Sequence, residues 1–356
     1  MQRLRIVQWS TGGAGAIALR AIARRPDLEL AGVWVHSPAK IGRDAGELAG
    51  AAKLGVAATN DAEALLALAP DCICYTAVGE SRPAECIDDF CRMLEAGVNV
   101  VTTSVPGLVH PAAFDPKHVA RLEEACRKGG SSLYASGIEP GFAGDQLVLT
   151  LATLTDKIRS VRTQEIFSYA DYPVAFTMFE VFGFGKPPAH RCIVELPGIQ
   201  TSSWGPPVRM VADRLGARLD GIRETYEKRV TPRRLEVAAG PIEAGTVGAV
   251  RFETIGVIGG RDAIVIEHVN RMAPELAPDW PTAARDGTYR IAFEGEPSLS
   301  CELQLGRPAD FSAQGMIATA MRVVNAIPYV CDAEPGLVTS AELPPTLPRH
   351  AFEEAS

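Results

Sequence analysis

The sequence predicts an α/β protein: a doubly wound parallel sheet followed by a second α+β domain on a mainly antiparallel, mixed open sheet. Three observations carry that expectation. Over residues 1–138, short apolar runs alternate with amphipathic segments, the pattern of a parallel sheet covered on both faces. A glycine-rich turn separates the first strand from the first helix, where such sheets bind a nucleotide phosphate. From about residue 141 the rhythm becomes strand after strand without helices between, as in antiparallel sheets.

In order, residues 5–8 read as a strand and 14–25 as a helix. Strands over 28–36, 72–76, 99–103 and 131–135 alternate with helices over 62–68, 83–96 and 116–128. Gly97 and Gly129-Gly130 fall where helix C-terminal caps are wanted. Residues 158–167 alternate like a half-buried strand, and 222–272 hold several strands separated by Pro232, Gly240-Pro241 and Gly259-Gly260. Residues 289–293 and 299–305 form a hairpin, and 314–326 a final helix stopped by Pro328. The expected domains are 1–138 for a dinucleotide, rejoined by a returning helical segment at 310–340, and 139–309 for substrate and dimerisation. Residues 341–356 are expected to be a loosely held tail.

A length of 356 residues suits two domains, and 47% hydrophobic residues exclude a disordered chain. No run of about 18 apolar residues predicts a membrane span, and no apolar targeting region precedes the first strand, so a cytoplasmic location is expected. The net charge of -8 argues against a nucleic-acid partner. No cysteine pair has C-x-x-C spacing and the six histidines are scattered, which predicts reduced, buried thiols and no metal.

The turn reads Ser10-Thr11-Gly12-Gly13-Ala14-Gly15. Matched to G-x-G-x-x-G, its key positions are Ser10, Gly12 and Gly15, so the first glycine is replaced. Glycine in the middle lets backbone N–H groups reach the pyrophosphate at a helix N-terminus. With a strand before, a helix after and a second strand ending at His36, the turn predicts a Rossmann-type site. At that strand end, an Asp or Glu would accept from the ribose 2′-OH of NAD. Here stand His36, Ser37, Lys40 and Arg43, donors and cations that suit a 2′-phosphate. The expected cofactor is NADP(H), with NAD(H) left open.

Three further strand ends line such a crevice. Thr76, Ala77 and Val78 should border the cofactor, Thr103 and Ser104 its nicotinamide end, and Glu139 is the one ionisable group in the loop 135–142. A carboxyl group beside an apolar ring is suited to proton transfer near neutral pH. Ser104 should help hold nicotinamide or substrate. Tyr169 and Tyr172, just beyond a strand, are expected to shape the pocket, while Phe176, Phe179, Phe182 and Phe184 read as core.

Several stretches together resemble the dihydrodipicolinate-reductase-like group that includes 2,4-diaminopentanoate dehydrogenase and the native amine dehydrogenases. They are Val7-Gln8-Trp9-Ser10-Thr11-Gly12, residues 36–48, Asn99-Val100-Val101-Thr102-Thr103, Gly137-Ile138-Glu139-Pro140-Gly141-Phe142, and Arg322-Val323-Val324-Asn325-Ala326-Ile327-Pro328. The resemblance implies a two-domain nicotinamide-dependent oxidoreductase, usually a homodimer through the second sheet. It implies reversible oxidative deamination of an amine, or reductive amination of a carbonyl compound with ammonia. It also implies that the last helix brings Asn325 near the nicotinamide. One departure stands out: the group's catalytic Glu in the loop after Thr102 has no counterpart in Thr103-Ser104-Val105-Pro106-Gly107-Leu108. The expectation is that Glu139 supplies the carboxylate from the neighbouring loop. Two alternatives remain, a carbonyl or imine reductase that uses no ammonia and a non-catalytic NADP(H)-binding sensor.

Overall fold

The computed structural model of the chain describes residues 3–79, 82–306 and 311–352. The expected domain junction at 309/310 and the last four residues of the tail lie outside them. The chain divides into two units, Met1–Phe142 with Met316–Ser356, and Ala143–Gly315. The first runs β1 (Leu4–Trp9), α1 (Gly13–Arg24), β2 (Leu28–Trp34), α2 (Ala45–Leu48), β3 (Ala58–Thr59), α3 (Ala62–Leu66), β4 (Cys72–Tyr75), α4 (Pro83–Glu95), β5 (Asn99–Thr102), α5 (Pro116–Gly129) and β6 (Ser132–Ala135). The second contributes α6 (Gln146–Ala152), β7 (Lys157–Ser168), α7 (Ile199–Arg214), β8 (Gly221–Val230), β9 (Leu235–Val237), β10 (Gly240–Ile242), β11 (Val247–Ile258), β12 (Arg261–Arg271), β13 (Thr288–Glu296) and β14 (Leu299–Gln304). Helix α8 (Phe311–Cys331) and β15 (Gly336–Val338) follow.

The first unit holds one parallel sheet in the order β15-β6-β5-β4-β1-β2-β3. Its strands are short and apolar because both faces are covered. In β4, Cys72 and Cys74 pack toward α1 and α8, while Ile73 and Tyr75 pack toward α4 and α5. Burial pushes the thiols of Cys74 and Cys126 up to about 12, so they stay protonated and serve as small apolar groups.

Two expectations are corrected here. Helix α8 does not stop at Pro328 but runs three residues beyond it. A proline has no N–H for the carbonyl four residues back, and that carbonyl, Val324 O, accepts instead from Arg25 Nη1 at 3.5 Å. Nor are residues 341–347 a loose tail. Leu343 packs on the α1/α8 core, Arg322 donates to Thr346 Oγ1 (3.2 Å), and the Leu347 N–H donates to the Tyr329 hydroxyl (3.3 Å).

The second unit is built on a six-stranded sheet, β14-β13-β7-β12-β11-β8, antiparallel except for β7 beside β12. Alternate residues face opposite ways. One face carries Phe252 and His268 under α7, and its core takes in Met178, Phe182, Phe184 and Trp280. The other is ionic. Glu227, Arg251, Glu267, Arg162, Gln164, Arg290 and Glu302 are hydrogen-bonded in a chain that crosses all six strands. Burial alone would raise the Glu267 carboxyl, but the Gln164 amide and the Arg162 and Arg251 guanidiniums hold it below the usual range. Helix α7 falls where the sequence pattern shows only strands, with Pro206 and Pro207 buried in its middle.

Candidate active site

β1 and β4 are neighbours at the centre of the first sheet, and strand order runs outward from them in opposite senses. That reversal opens a crevice at their carboxyl ends. Ser10, just after β1, has φ +80°, the left-handed region that favours glycine. The serine thus adopts the conformation of the glycine it replaces. Gln8, fully buried, braces it: its Nε2 donates to the Ser10 carbonyl (2.9 Å) and to Thr76 Oγ1 (2.8 Å). Gln8 belongs to the stretch 7–12 that carries the resemblance, but nothing in the sequence assigns it this bracing role.

Gly15 has no room to be larger, since a Cβ there would stand 2.4 Å from the Ser10 carbonyl oxygen and 2.8 Å from Thr76 Oγ1. At Gly12 a Cβ would meet nothing nearer than Ser10 Oγ at 4.0 Å. Gly12 is also the N-cap of α1, with no side-chain cap. Helices α2, α3 and α5 are instead capped by Asp44, Asp61 and Asp115. The first N–H groups of α1 therefore remain for an anion, which the helix dipole favours. Gly12 and Gly13 are exposed and Ala14 half-buried. The loop fits a dinucleotide pyrophosphate.

Lys40 stands beside this loop, its Nζ donating to Thr11 Oγ1 (3.0 Å) and the Thr11 carbonyl (3.2 Å). His36 is exposed, its ring 6.2 Å from that of Trp34, and Ser37 is half-buried. The next carboxylate, Asp44, is already engaged by the N–H groups of Leu54, Gly55 and Gly46, which hold it below the usual range.

The remaining positions divide. Thr76 is buried, Ala77 half-buried, and Val78 64% exposed at the rim. Thr103 is half-buried and its N–H donates to the Tyr75 carbonyl at 3.3 Å. Ser104 is buried and its hydroxyl donates to the Ala77 carbonyl at 2.5 Å, so it braces two loops instead of standing in the open as a donor. Asn325 is a correction. Its Oδ1 faces Arg25 Nη1 at 3.4 Å, beyond the C-terminal end of α1 and before β2. That is the amino edge of the sheet, opposite the phosphate loop, because a parallel unit returns its chain there.

Glu139 is half-buried in the loop after β6, on the carboxyl edge that also carries Gly12 and Thr76. Gly141 (φ +121°) closes this turn, where a Cβ would lie 2.2 Å from Gly137 N. Arg322 of α8 pins it: its guanidinium donates to the Gly141 carbonyl (3.2 Å) and the Tyr134 hydroxyl (2.9 Å) and lies 5.2 Å from the Phe142 ring. In the second unit, Tyr169 and Tyr172 are half-buried with ring centres 5.8 Å apart, and the Tyr169 hydroxyl donates to Glu165.

Comparison with known proteins fits this geometry. The sequence model of the 2,4-diaminopentanoate dehydrogenase C-terminal domain matches residues 142–355. The chain belongs to the 2,4-diaminopentanoate dehydrogenase family. It is 40% identical to an amine dehydrogenase from Streptomyces virginiae over 95% of each chain. It is 24% identical to a 2,4-diaminopentanoate dehydrogenase from Acetoanaerobium sticklandii, over 73% of this chain and 72% of the other. The amine dehydrogenase structure from Mycobacterium smegmatis superposes with a TM-score of 0.77 at 20% identity, covering 98% of each chain. As a member of this family the chain is an amine dehydrogenase-type oxidoreductase. Among the described residues no group of three His, Cys, Asp or Glu side chains could hold a metal, and no helix is long and apolar enough to cross a membrane.

Proposed function

We propose that the protein catalyses the reversible oxidative deamination of a small, largely apolar amine, and the reductive amination of the matching ketone or aldehyde with ammonia. The observation that supports this most is the 40% identity to an amine dehydrogenase across nearly the whole chain. Gly12, Gly13 and Ala14 would hold the coenzyme pyrophosphate against α1. Lys40 favours NADP(H) over NAD(H), because its ammonium stands by the loop while Asp44 is engaged elsewhere. When bound, the nicotinamide supplies the hydride acceptor or donor. The protein positions the carbon that exchanges it and manages the protons as water adds to the C=N carbon and ammonia leaves, or the reverse in amination. Glu139, carried on the loop that Arg322 pins, takes the proton from the amine nitrogen in deamination and returns it in amination. The homodimer implied by the resemblance would use the ionic sheet face of the second unit, and light scattering tests it.

Replacement of Glu139 by Gln tests the assignment. Ammonium-dependent oxidation of NADPH should fall by about 10²-fold or more, the typical contribution of a positioned acid–base group, with NADPH affinity unchanged. Full turnover in that variant would overturn it. One observation favours a second reading: the loop 103–108 holds no carboxylate. A carbonyl or imine reductase would consume NADPH equally with and without ammonium, and a sensor would bind NADPH without consuming it.

A further inference from the structure

At the centre of the first unit lies a side chain that packing alone does not explain. Gln8 of β1 is fully buried, with Val33 of β2 and Cys74 of β4 as its neighbours across the sheet. Its Oε1 is buried with no hydrogen-bond partner among the described residues. An apolar side chain at this position would avoid the cost of an unpaired buried acceptor, so the amide is there for its donor end. That end is fully used. Nε2 donates to the Ser10 carbonyl (2.9 Å) and to Thr76 Oγ1 (2.8 Å), and Thr76 Oγ1 donates in turn to the Trp9 carbonyl (3.1 Å). The Ser10 N–H donates to the Trp34 carbonyl at 2.9 Å. Ser10 is therefore held at its N–H and at its carbonyl, in a left-handed backbone (φ +80°) that only glycine adopts freely.

Glycine at this position would need no bracing, but it has no side-chain donor. The Ser10 hydroxyl stands on the α1 side of the turn: its Oγ is 4.0 Å from where a Cβ of Gly12, the N-cap of α1, would lie. The first N–H groups of α1 begin there and carry the positive end of the helix dipole. A hydroxyl at this place adds a further donor to N–H groups already available to an anion. The Ser10 carbonyl is wedged between the Gln8 amide and Gly15, where a Cβ would lie 2.4 Å from it, so the Ser10 backbone and the start of α1 move together.

We propose that Gln8 is a positioning residue for the coenzyme pyrophosphate: by holding Ser10 in a glycine's conformation, it lets a hydroxyl join the N–H groups of α1 as a phosphate donor. The role rests on the coenzyme reading given above and supplies a chemistry for the first position of the turn. Without the amide, Ser10 relaxes toward the negative φ that residues with a Cβ prefer. Only the fraction of molecules that keeps the left-handed turn then binds. Ser10→Gly ends that dependence, because glycine populates both regions alike. Ser10→Ala does not, since it removes the hydroxyl and keeps the Cβ.

Six full-length proteins separate these effects: wild type, Gln8→Met, Ser10→Gly, Ser10→Ala, and the two doubles that join Gln8→Met to each serine variant. NADPH dissociation constants are read by fluorescence titration, beside melts that show each variant is folded. Gln8→Met should weaken NADPH about 5- to 30-fold, the penalty of a left-handed residue that carries a Cβ. Ser10→Gly and Ser10→Ala should each lose about tenfold, one hydrogen bond to a charged group. Gln8→Met/Ser10→Gly should bind as Ser10→Gly alone does, whereas in Gln8→Met/Ser10→Ala the two losses should multiply. A Gln8 that served packing alone would multiply the losses in both doubles. Wild-type affinity in Gln8→Met or in Ser10→Ala, or a glycine double as weak as the alanine double, would overturn the proposal. If Gln8→Met does not fold by itself, the glycine double has to fold and bind as Ser10→Gly does, and its failure overturns the proposal as well. A wild type that binds NADPH but oxidises no amine sinks the proposed reaction alone, and the six affinities still decide on Gln8. A wild type that binds no dinucleotide overturns both.

Discussion

Gly12→Ala and Gly15→Ala separate two demands that one loop meets. At Gly15 the added methyl would sit 2.4 Å from the Ser10 carbonyl oxygen and 2.8 Å from Thr76 Oγ1. The first of these atoms is backbone, so α1 has to move off the sheet. Overpacking of this kind costs about 1–3 kcal/mol, and at roughly 2–4 °C per kcal/mol the melting temperature should drop by about 2–12 °C. At Gly12 the methyl meets nothing within 4.0 Å except Ser10 Oγ at that limit, so the free protein should melt as wild type does. A bound pyrophosphate is in its way. Loss of one hydrogen bond to a charged group, about 1.5–3 kcal/mol, corresponds to roughly 10- to 150-fold weaker NADPH binding. Thermal melts and titration of NADPH fluorescence read the two effects separately. Wild-type NADPH affinity in Gly12→Ala would refute the placement of the pyrophosphate over α1, and an unchanged melt for Gly15→Ala would refute the tight helix–strand contact.

Lys40→Ala should weaken NADPH about tenfold or more while leaving NADH within about twofold, because a charge-assisted contact to the 2′-phosphate is lost; paired titrations measure the ratio. Arg322→Met should lower kcat through the loop that carries Glu139 without changing NADPH affinity, and steady-state kinetics beside a binding titration check it. His268 gives a pH signature. Its folded pKa lies below its unfolded value of 6.5, so as pH falls through about 6.5 the unfolded chain gains a proton that the folded chain does not. Stability should fall with pH in that window. In His268→Gln that share of the acid loss should vanish, as melts between about pH 8 and 5 would reveal.

The first unit was legible because buried strands and amphipathic helices alternate with clean glycine and aspartate punctuation. Its phosphate loop was legible despite Ser10, since strand and helix contexts fix the turn and Gln8 holds the serine in a glycine's conformation. Misreadings arose where distant residues override local rules. Pro328 looked like a stop, yet Arg25, about three hundred positions earlier, donates to the orphaned Val324 carbonyl. Pro206 and Pro207 hid α7, where burial of Gln200, Val208, Met210 and Val211 outweighs poor helix propensity. Asn325 belonged to a recognisable stretch but faces the amino edge of the sheet, which motif order does not reveal. Glu165 lies within an ordinary strand pattern, and its partners at 268, 270 and 289 are gathered only by the sheet register.

The aromatic residues next to the nucleotide loop have a practical consequence. Trp9, immediately before Ser10, is stacked parallel to Trp34 with ring centres 4.6 Å apart, and Tyr75 continues the pile at 5.8 Å. Indole emission overlaps the absorption band of a reduced nicotinamide, so the chain carries its own energy donor at the rim of the coenzyme crevice. Dinucleotide occupancy can be followed in the unlabelled protein by excitation of tryptophan alone, and Trp34→Phe gives the share of that indole in the signal of the four tryptophans.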